Sequence, residues 1–142
     1  MTQSGPAVIV APVELQLVGA DGACVPIDAA FGYDPVDPFA VRAEFWLGEA
    51  DEPVVWVFAR DLIAEGLVAP AGQGDVGVWP SRSQGEPVVC FALSSPSGQA
   101  VLECRREDVT EFLDQTLATV PAGDESRHLD VDTPIDQLLD ES

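Results

Sequence analysis

From Phe39 to Ala59 the chain keeps one period. Phe39, Val41, Ala43, Phe45 and Leu47 fall on one side of an extended backbone, with Arg42 and Glu44 on the other. The polar break EADEP follows, and then the apolar run VVWVFA, Val54 to Ala59. Successive side chains of a strand point to opposite faces, so two such runs with a short break predict an antiparallel hairpin. The same alternation marks the N-terminal region, where Val13, Leu15 and Leu17 oppose Glu14 and Gln16 and Pro12 belongs at a strand start or edge. ADGA, Ala20 to Ala23, has turn chemistry, and CVPI is a short return strand. VGVW, VVCFALS and AVLECR add three more strands. The breaks between them are PSRSQGEP, a loop of about eight residues, and SPSGQ, whose Pro96 and Gly98 suit a hairpin turn.

Two stretches change period. RDLIAEGL, Arg60 to Leu67, reads as one or two helical turns, followed by VAPAGQGD as a loop. EDVTEFLDQTLATV, Glu107 to Val120, carries the clearest helical stripe, Val109, Phe112, Leu113, Leu117 and Val120, with acids in its first turns and Pro121 ending it. The expected architecture is α+β: one antiparallel sheet of six or seven strands with packed helices, in a single domain over residues 1–142. Residues 1–7 read as a loose end. Residues 122–142 read as an acidic segment with a short helix that starts at Thr133 and Pro134 and turns Ile135, Leu138 and Leu139 to one side.

Composition narrows the function. Twenty-five acids oppose six bases, for a net charge of −19. All the bases are arginine: Arg42, Arg60, Arg82, Arg105, Arg106 and Arg127. Such a field repels phosphate backbones and anionic lipid. From Glu107 to Ser142 there are eleven acids and one base, which suits either a solvated surface or a docking face. Cys24, Cys90 and Cys104 are far apart and form no C-x-x-C, so they read as reduced thiols. The N-terminus lacks a basic n-region, and no apolar run is long enough to span a membrane.

Motifs for catalysis are scarce. The one histidine, His128, has no metal-ligand companions at suitable spacing. There is no Gly-x-Ser-x-Gly elbow and no lysine to complete a Walker loop, while GQGD precedes a strand and not a helix. DVDTPID, Asp130 to Asp136, lacks the glycine and glutamate of a calcium loop. Asp34-Pro35 and Asp37-Pro38 read as turns before an acid/base pair. No cofactor is expected. Trp46 and Trp56 fall in strands, where core packing is the ordinary role.

Taken in order, YDPVDPFAVRAEF, WVFARDLIAEGL, GDVGVWPSR, VVCFALSSPSGQAVLE and the tail RHLDVDTPIDQLLDES resemble the SsgA-like family of actinomycete sporulation and cell-division proteins, and within it the SsgB branch. The resemblance runs from about Val13 to Ser142; Cys24, Cys104 and the acids around Asp114 and Glu125 depart from it. It implies a non-enzymatic adaptor that helps localise the tubulin-like protein FtsZ and promotes its assembly, acting with SsgA in the cytoplasm at the division septum. It also implies a fold like the whirly nucleic-acid-binding proteins and a homotrimer. The charge balance argues against carrying nucleic-acid binding over with that fold. Single-stranded nucleic-acid binding stays as the alternative and requires Arg42, Arg60, Arg82 and Arg105 to converge; an enzyme would have to gather Asp34, Asp37 or His128.

The candidate interaction residues are Arg60, Trp79, Pro80 and Arg82. Tryptophan and arginine are the residue types that most often dominate protein interfaces. Two readings are open. The arginines form ion pairs within the subunit or between subunits, with Trp79 packed beneath, or the group contacts FtsZ or SsgA.

Overall fold

The computed structural model describes residues 8–48, 51–96 and 98–128. The strands are β1 Ile9–Val18, β2 Cys24–Tyr33, β3 Ala40–Phe45, β4 Val54–Ala59, β5 Ala71–Gln73, β6 Val76–Ser83, β7 Glu86–Ser95 and β8 Gly98–Arg105. They form one eight-stranded sheet in the order β4-β3-β2-β1-β8-β7-β6-β5, with every neighbouring pair antiparallel. Helix α1, Arg60–Gly66, joins β4 to β5; helix α2, Arg106–Thr119, follows β8.

Eight strands replace the six or seven expected. The extra one is β5, three residues inside VAPAGQGD, paired with Val76–Val78. It is too short to show a period, and Gly74, at φ 61°, makes the turn to β6. Strand β2 runs ten residues where a short CVPI strand is expected. Its inward set is Ile27, Ala29, Phe31 and Tyr33, but Ala30 and Gly32 on the other face weaken the alternation. The Asp-Pro turn is confirmed: Asp34 accepts a hydrogen bond from the Val36 amide (3.1 Å), and the Asp37 amide donates to the Asp34 carbonyl (2.8 Å).

One face of the sheet carries Leu15, Phe31, Val41, Phe45, Phe58, Val78, Val89, Phe91 and Leu102 into a common core. Helix α2 adds Val109 and Phe112 to it, and α1 adds Leu62 and Ile63. Phe112 stacks on Phe31 at 5.2 Å between centroids, and Phe31 and Phe58 each meet the ring of Phe91 at 5.9 Å. Such contacts fix where α2 crosses the sheet, and truncating a buried phenylalanine costs about 3–5 kcal/mol. Gly66 lies against Val78, where a Cβ would overlap the valine side chain, so α1 can close on β6 only with glycine there. Trp56 is half-buried against the core; Trp46 lies one residue beyond β3 and is also half-buried.

In β7, Val88, Val89, Cys90 and Phe91 are all buried, so this strand is covered on both faces and reads as a continuous apolar run. In β4, a sheet edge, Val54, Val55 and Val57 are exposed. No helix among the described residues is long and apolar enough to cross a membrane. The first seven residues and the short helix expected from Thr133 lie outside the described residues.

Candidate functional site

The loop expected from Pro80 to Pro87 contracts to a two-residue turn. Strand β6 continues through Pro80, Ser81, Arg82 and Ser83, and β7 begins at Glu86. Gln84 and Gly85 have φ of 53° and 84°, the left-handed pair that joins tightly wound hairpins. Pro80 is tolerated because β5 reaches only to Val78, so β6 is a free edge beyond that point. The ladder runs on past both prolines, pairing Pro80 with Val89 and Arg82 with Pro87.

Strand parity then separates the predicted group. Pro80 and Arg82 alternate in step with the buried Val76 and Val78, on the helix-covered side; Trp79 lies opposite Cys90 on the other face, half-buried. Trp79 and Arg82 therefore do not form one patch. Arg82 is exposed and donates from Nη1 to the Gly85 carbonyl at 3.0 Å, bracing its own turn.

Arg60 is elsewhere, and it is not a surface contact. It is 2% exposed. Its Nη1 donates to the carbonyls of Thr116 (3.1 Å) and Val120 (2.7 Å), its Nη2 to Glu125 Oε2 (2.7 Å), and its guanidinium stands 5.2 Å from the Tyr33 ring centre. The last carbonyls of a helix lack partners within the helix. Helix α2 ends without a glycine cap or a basic residue in its last turn; Arg60 is a second donor to the Thr116 carbonyl, which also accepts from the Val120 amide (2.8 Å), and it serves the Val120 carbonyl just past the helix. Glu125 Oε1 accepts from the Gly123 amide (2.9 Å), and the hydrogen bond from Arg60 holds the Glu125 carboxyl below the usual carboxylate range. Burial pushes the Tyr33 hydroxyl up, the nearby Arg60 charge pulls it partly back, and its proton is donated to the Pro38 carbonyl at 2.8 Å. Of the two readings left open by the sequence, Arg60 takes the ion pair within the subunit, with Glu125.

The other arginines are surface groups. Arg42 pairs with Glu44 on β3 (2.8 Å) and Arg105 with Glu107 (3.2 Å). Arg42 and Arg105 lie on the face away from the core, Arg60 inside it and Arg82 at the end of β6. The convergence that a nucleic-acid groove requires is absent from this set. What does come together is Arg82 with Arg106, a residue the sequence did not single out. Both line an open cleft of about 570 Å³ with Pro80, Ser81, Pro87 and Val88. Arg106, the first residue of α2, is half-buried and donates from Nη1 to the Leu67 carbonyl at 2.7 Å.

The two buried thiols have no reactive setting. Cys90 and Cys104 are buried, and burial pushes them up to about 11 and about 12; Cys24 is exposed at the start of β2. Asp34 and Asp37 share a cleft with Arg42 and Glu44, where Asp34 is occupied as a turn acceptor. No group of His, Cys, Asp and Glu among the described residues could hold a metal ion. His128 belongs to the 3-10 turn Glu125–His128.

These features define a one-sheet α+β fold with an exposed apolar edge strand and an open cleft lined by two arginines. The family described as Streptomyces sporulation and cell division protein, SsgA, matches residues 27–125, and the chain belongs to it. The sporulation-specific cell division protein SsgB of Streptomyces coelicolor is 52% identical over 92% of this chain and 94% of its own length. The protein of the same name from Thermobifida fusca is 45% identical over 98% of this chain and 99% of its own. Two solved structures share the fold, each with a TM-score of 0.84. One comes from work on SsgB mutations that correlate with longitudinal cell division during sporulation of Streptomyces coelicolor; it is 48% identical and covers 90% of this chain and 100% of its own. The other, an SsgA-like sporulation-specific cell division protein from Thermobifida fusca, is 44% identical and covers 96% of this chain and 98% of its own. The relatives support a role in cell division.

Proposed function

We propose that the protein is a non-enzymatic adaptor of sporulation-linked cell division that helps localise FtsZ and promotes its assembly at septation sites, together with an SsgA-type partner. The observation that carries this reading is the match to sporulation-specific cell division proteins over nearly the whole chain, with a shared fold. In this reading the protein works as a homotrimer in the cytoplasm, concentrated at the septum. A symmetric trimer displays three copies of a weak site, so a polymer binds far more tightly than a single subunit does. The exposed valines of the β4 edge and the half-buried Trp79 are apolar surface available to such assembly.

The test is sedimentation of the protein with assembling FtsZ from the same organism near physiological salt, with single-stranded DNA in parallel. Co-sedimentation with FtsZ and none with DNA is the expected result. Binding to DNA that weakens steeply with salt would replace the adaptor reading with the nucleic-acid one. The net charge of −19 and the scattered positions of Arg42, Arg60, Arg82 and Arg105 favour the first outcome.

A further inference from the structure

In a chain with twenty-five acids, an arginine has every opportunity to find a carboxylate. Arg42, Arg60 and Arg105 do so, with Glu44, Glu125 and Glu107. Arg82 and Arg106 have no carboxylate partner among the described residues, and both line the same cleft. Two other clefts lined by an arginine also carry acids: one sets Arg42 beside Asp34, Asp37 and Glu44, another sets Arg105 beside Glu14, Glu86 and Glu103. The Arg82 and Arg106 cleft has no acid in its lining.

We propose that this cleft docks a short acidic segment, in extended conformation, of a partner protein. Each guanidinium is braced by one neutral carbonyl, Gly85 for Arg82 and Leu67 for Arg106, which orders the fork without cancelling its charge. Carboxylates pair with such forks through charge-assisted hydrogen bonds. Pro80, Pro87 and Val88 give the cleft rigid apolar walls on which aliphatic side chains of the same segment pack. The overall field opposes a long acidic chain, so the cleft selects a short segment whose affinity is low for one copy and rises when several copies act together. The identity of the partner as a division protein rests on the adaptor reading; the chemistry of the cleft does not.

The experiment is fluorescence anisotropy on the full chain with a labelled peptide Gly-Leu-Glu-Pro-Glu-Leu-Gly, beside the same peptide with glutamine in place of glutamate. The glutamate peptide is expected to bind more tightly. Arg82→Gln is expected to weaken it on the order of tenfold, the loss of one charged hydrogen-bond donor, with the melting temperature unchanged. Arg42→Gln, away from the cleft, is expected to leave it unaltered. Equal binding of the two peptides, or no effect of Arg82→Gln, overturns the proposal. So does equally effective competition by inorganic phosphate, which would make the cleft a general anion site. A full-length variant with Asp130, Asp132 and Asp136 changed to asparagine separates the remaining occupant: peptide binding seen only in that variant assigns the cleft to the chain's own acidic segment and overturns a partner. Peptide binding by a protein that does not sediment with FtsZ would support the cleft and remove the FtsZ reading alone.

Discussion

Arg60 and Arg82 stand at two sites that use the same side chain in opposite ways. At the first, a guanidinium that is 2% exposed gathers two helix carbonyls and a carboxylate, and the face of Tyr33 lies 5.2 Å away. At the second, an exposed guanidinium makes one hydrogen bond to its own turn and shares a cleft with Arg106. The difference is where desolvation has been compensated. A buried charge is tolerated only when its hydrogen-bonding capacity is met, and removing one partner then leaves an uncompensated charge. An exposed guanidinium keeps water as its partner and contributes little to stability, which leaves it free to exchange that water for a ligand. The first site belongs to folding, and the second is the one proposed for recognition.

The largest effect should come from breaking the buried site. Arg60→Met leaves Glu125 without its cation and the Val120 carbonyl without the Arg60 donor, while the Thr116 carbonyl keeps only the Val120 amide, and should cost about 3–5 kcal/mol in denaturant unfolding. Adding Glu125→Leu should restore part of that loss, because a pair replaced by apolar groups leaves no lone charge. Full restoration would show that the carbonyl contacts carry nothing. No loss from Arg60→Met alone would mean that the end of α2 does not depend on this arginine.

A pH titration sharpens the same point. The Glu125 carboxyl is held below its unfolded value chiefly by the Arg60 hydrogen bond. Its contribution is therefore present above the unfolded carboxylate range and is lost as pH falls through the depressed folded value. The stability gap between the native protein and Glu125→Gln should be widest near neutrality and narrow in acid. A gap that is constant with pH would show that Glu125 acts by shape and not by charge.

At the cleft, Arg82→Gln should change unfolding free energy by no more than about 0.5 kcal/mol while it weakens the acidic peptide. A stability loss comparable to that of Arg60→Met would move Arg82 into the structural class and erase the contrast.

How legible these two sites are in the sequence follows from periodicity. Strands β1 and β3 show themselves because their apolar residues alternate, β7 by its continuous apolar run, and α2 because its stripe repeats at helical spacing, whereas Ala30 and Gly32 hide most of β2. Strand β5 is hidden because three residues cannot carry a period. Pro80 obscures the end of β6, since proline breaks a strand where the neighbour needs its N–H, and no local signal tells that β5 stops at Val78. Arg60 shares a helix face with Ile63 and Leu67, so helical spacing points it inward. What spacing cannot supply is the partner set, which lies 56 to 65 residues further on. Arg106 continues the stripe of Val109 and Leu113 by one step, and starting the helix at Glu107 leaves it out. The cleft became visible only when the β6–β7 hairpin brought Arg82 and the start of α2 together.

The smallest effects belong to arginines that are paired but exposed, and they test whether pairing or burial sets the contrast. In Arg42–Glu44 the side chains are 57% and 30% exposed, and in Arg105–Glu107 they are 66% and 72% exposed. Their distances, 2.8 and 3.2 Å, approach the 2.7 Å of Arg60–Glu125. If distance decided the outcome, all three pairs would matter. Exposed pairs gain little in water, pay side-chain entropy and are screened by salt, so Arg42→Gln and Arg105→Gln should each cost less than about 1 kcal/mol. That small cost should fade further in high salt, while the cost of Arg60→Met persists, because salt does not reach a buried pair. A salt-independent loss at Arg42 comparable to that at Arg60 would show that geometry outweighs burial in this molecule.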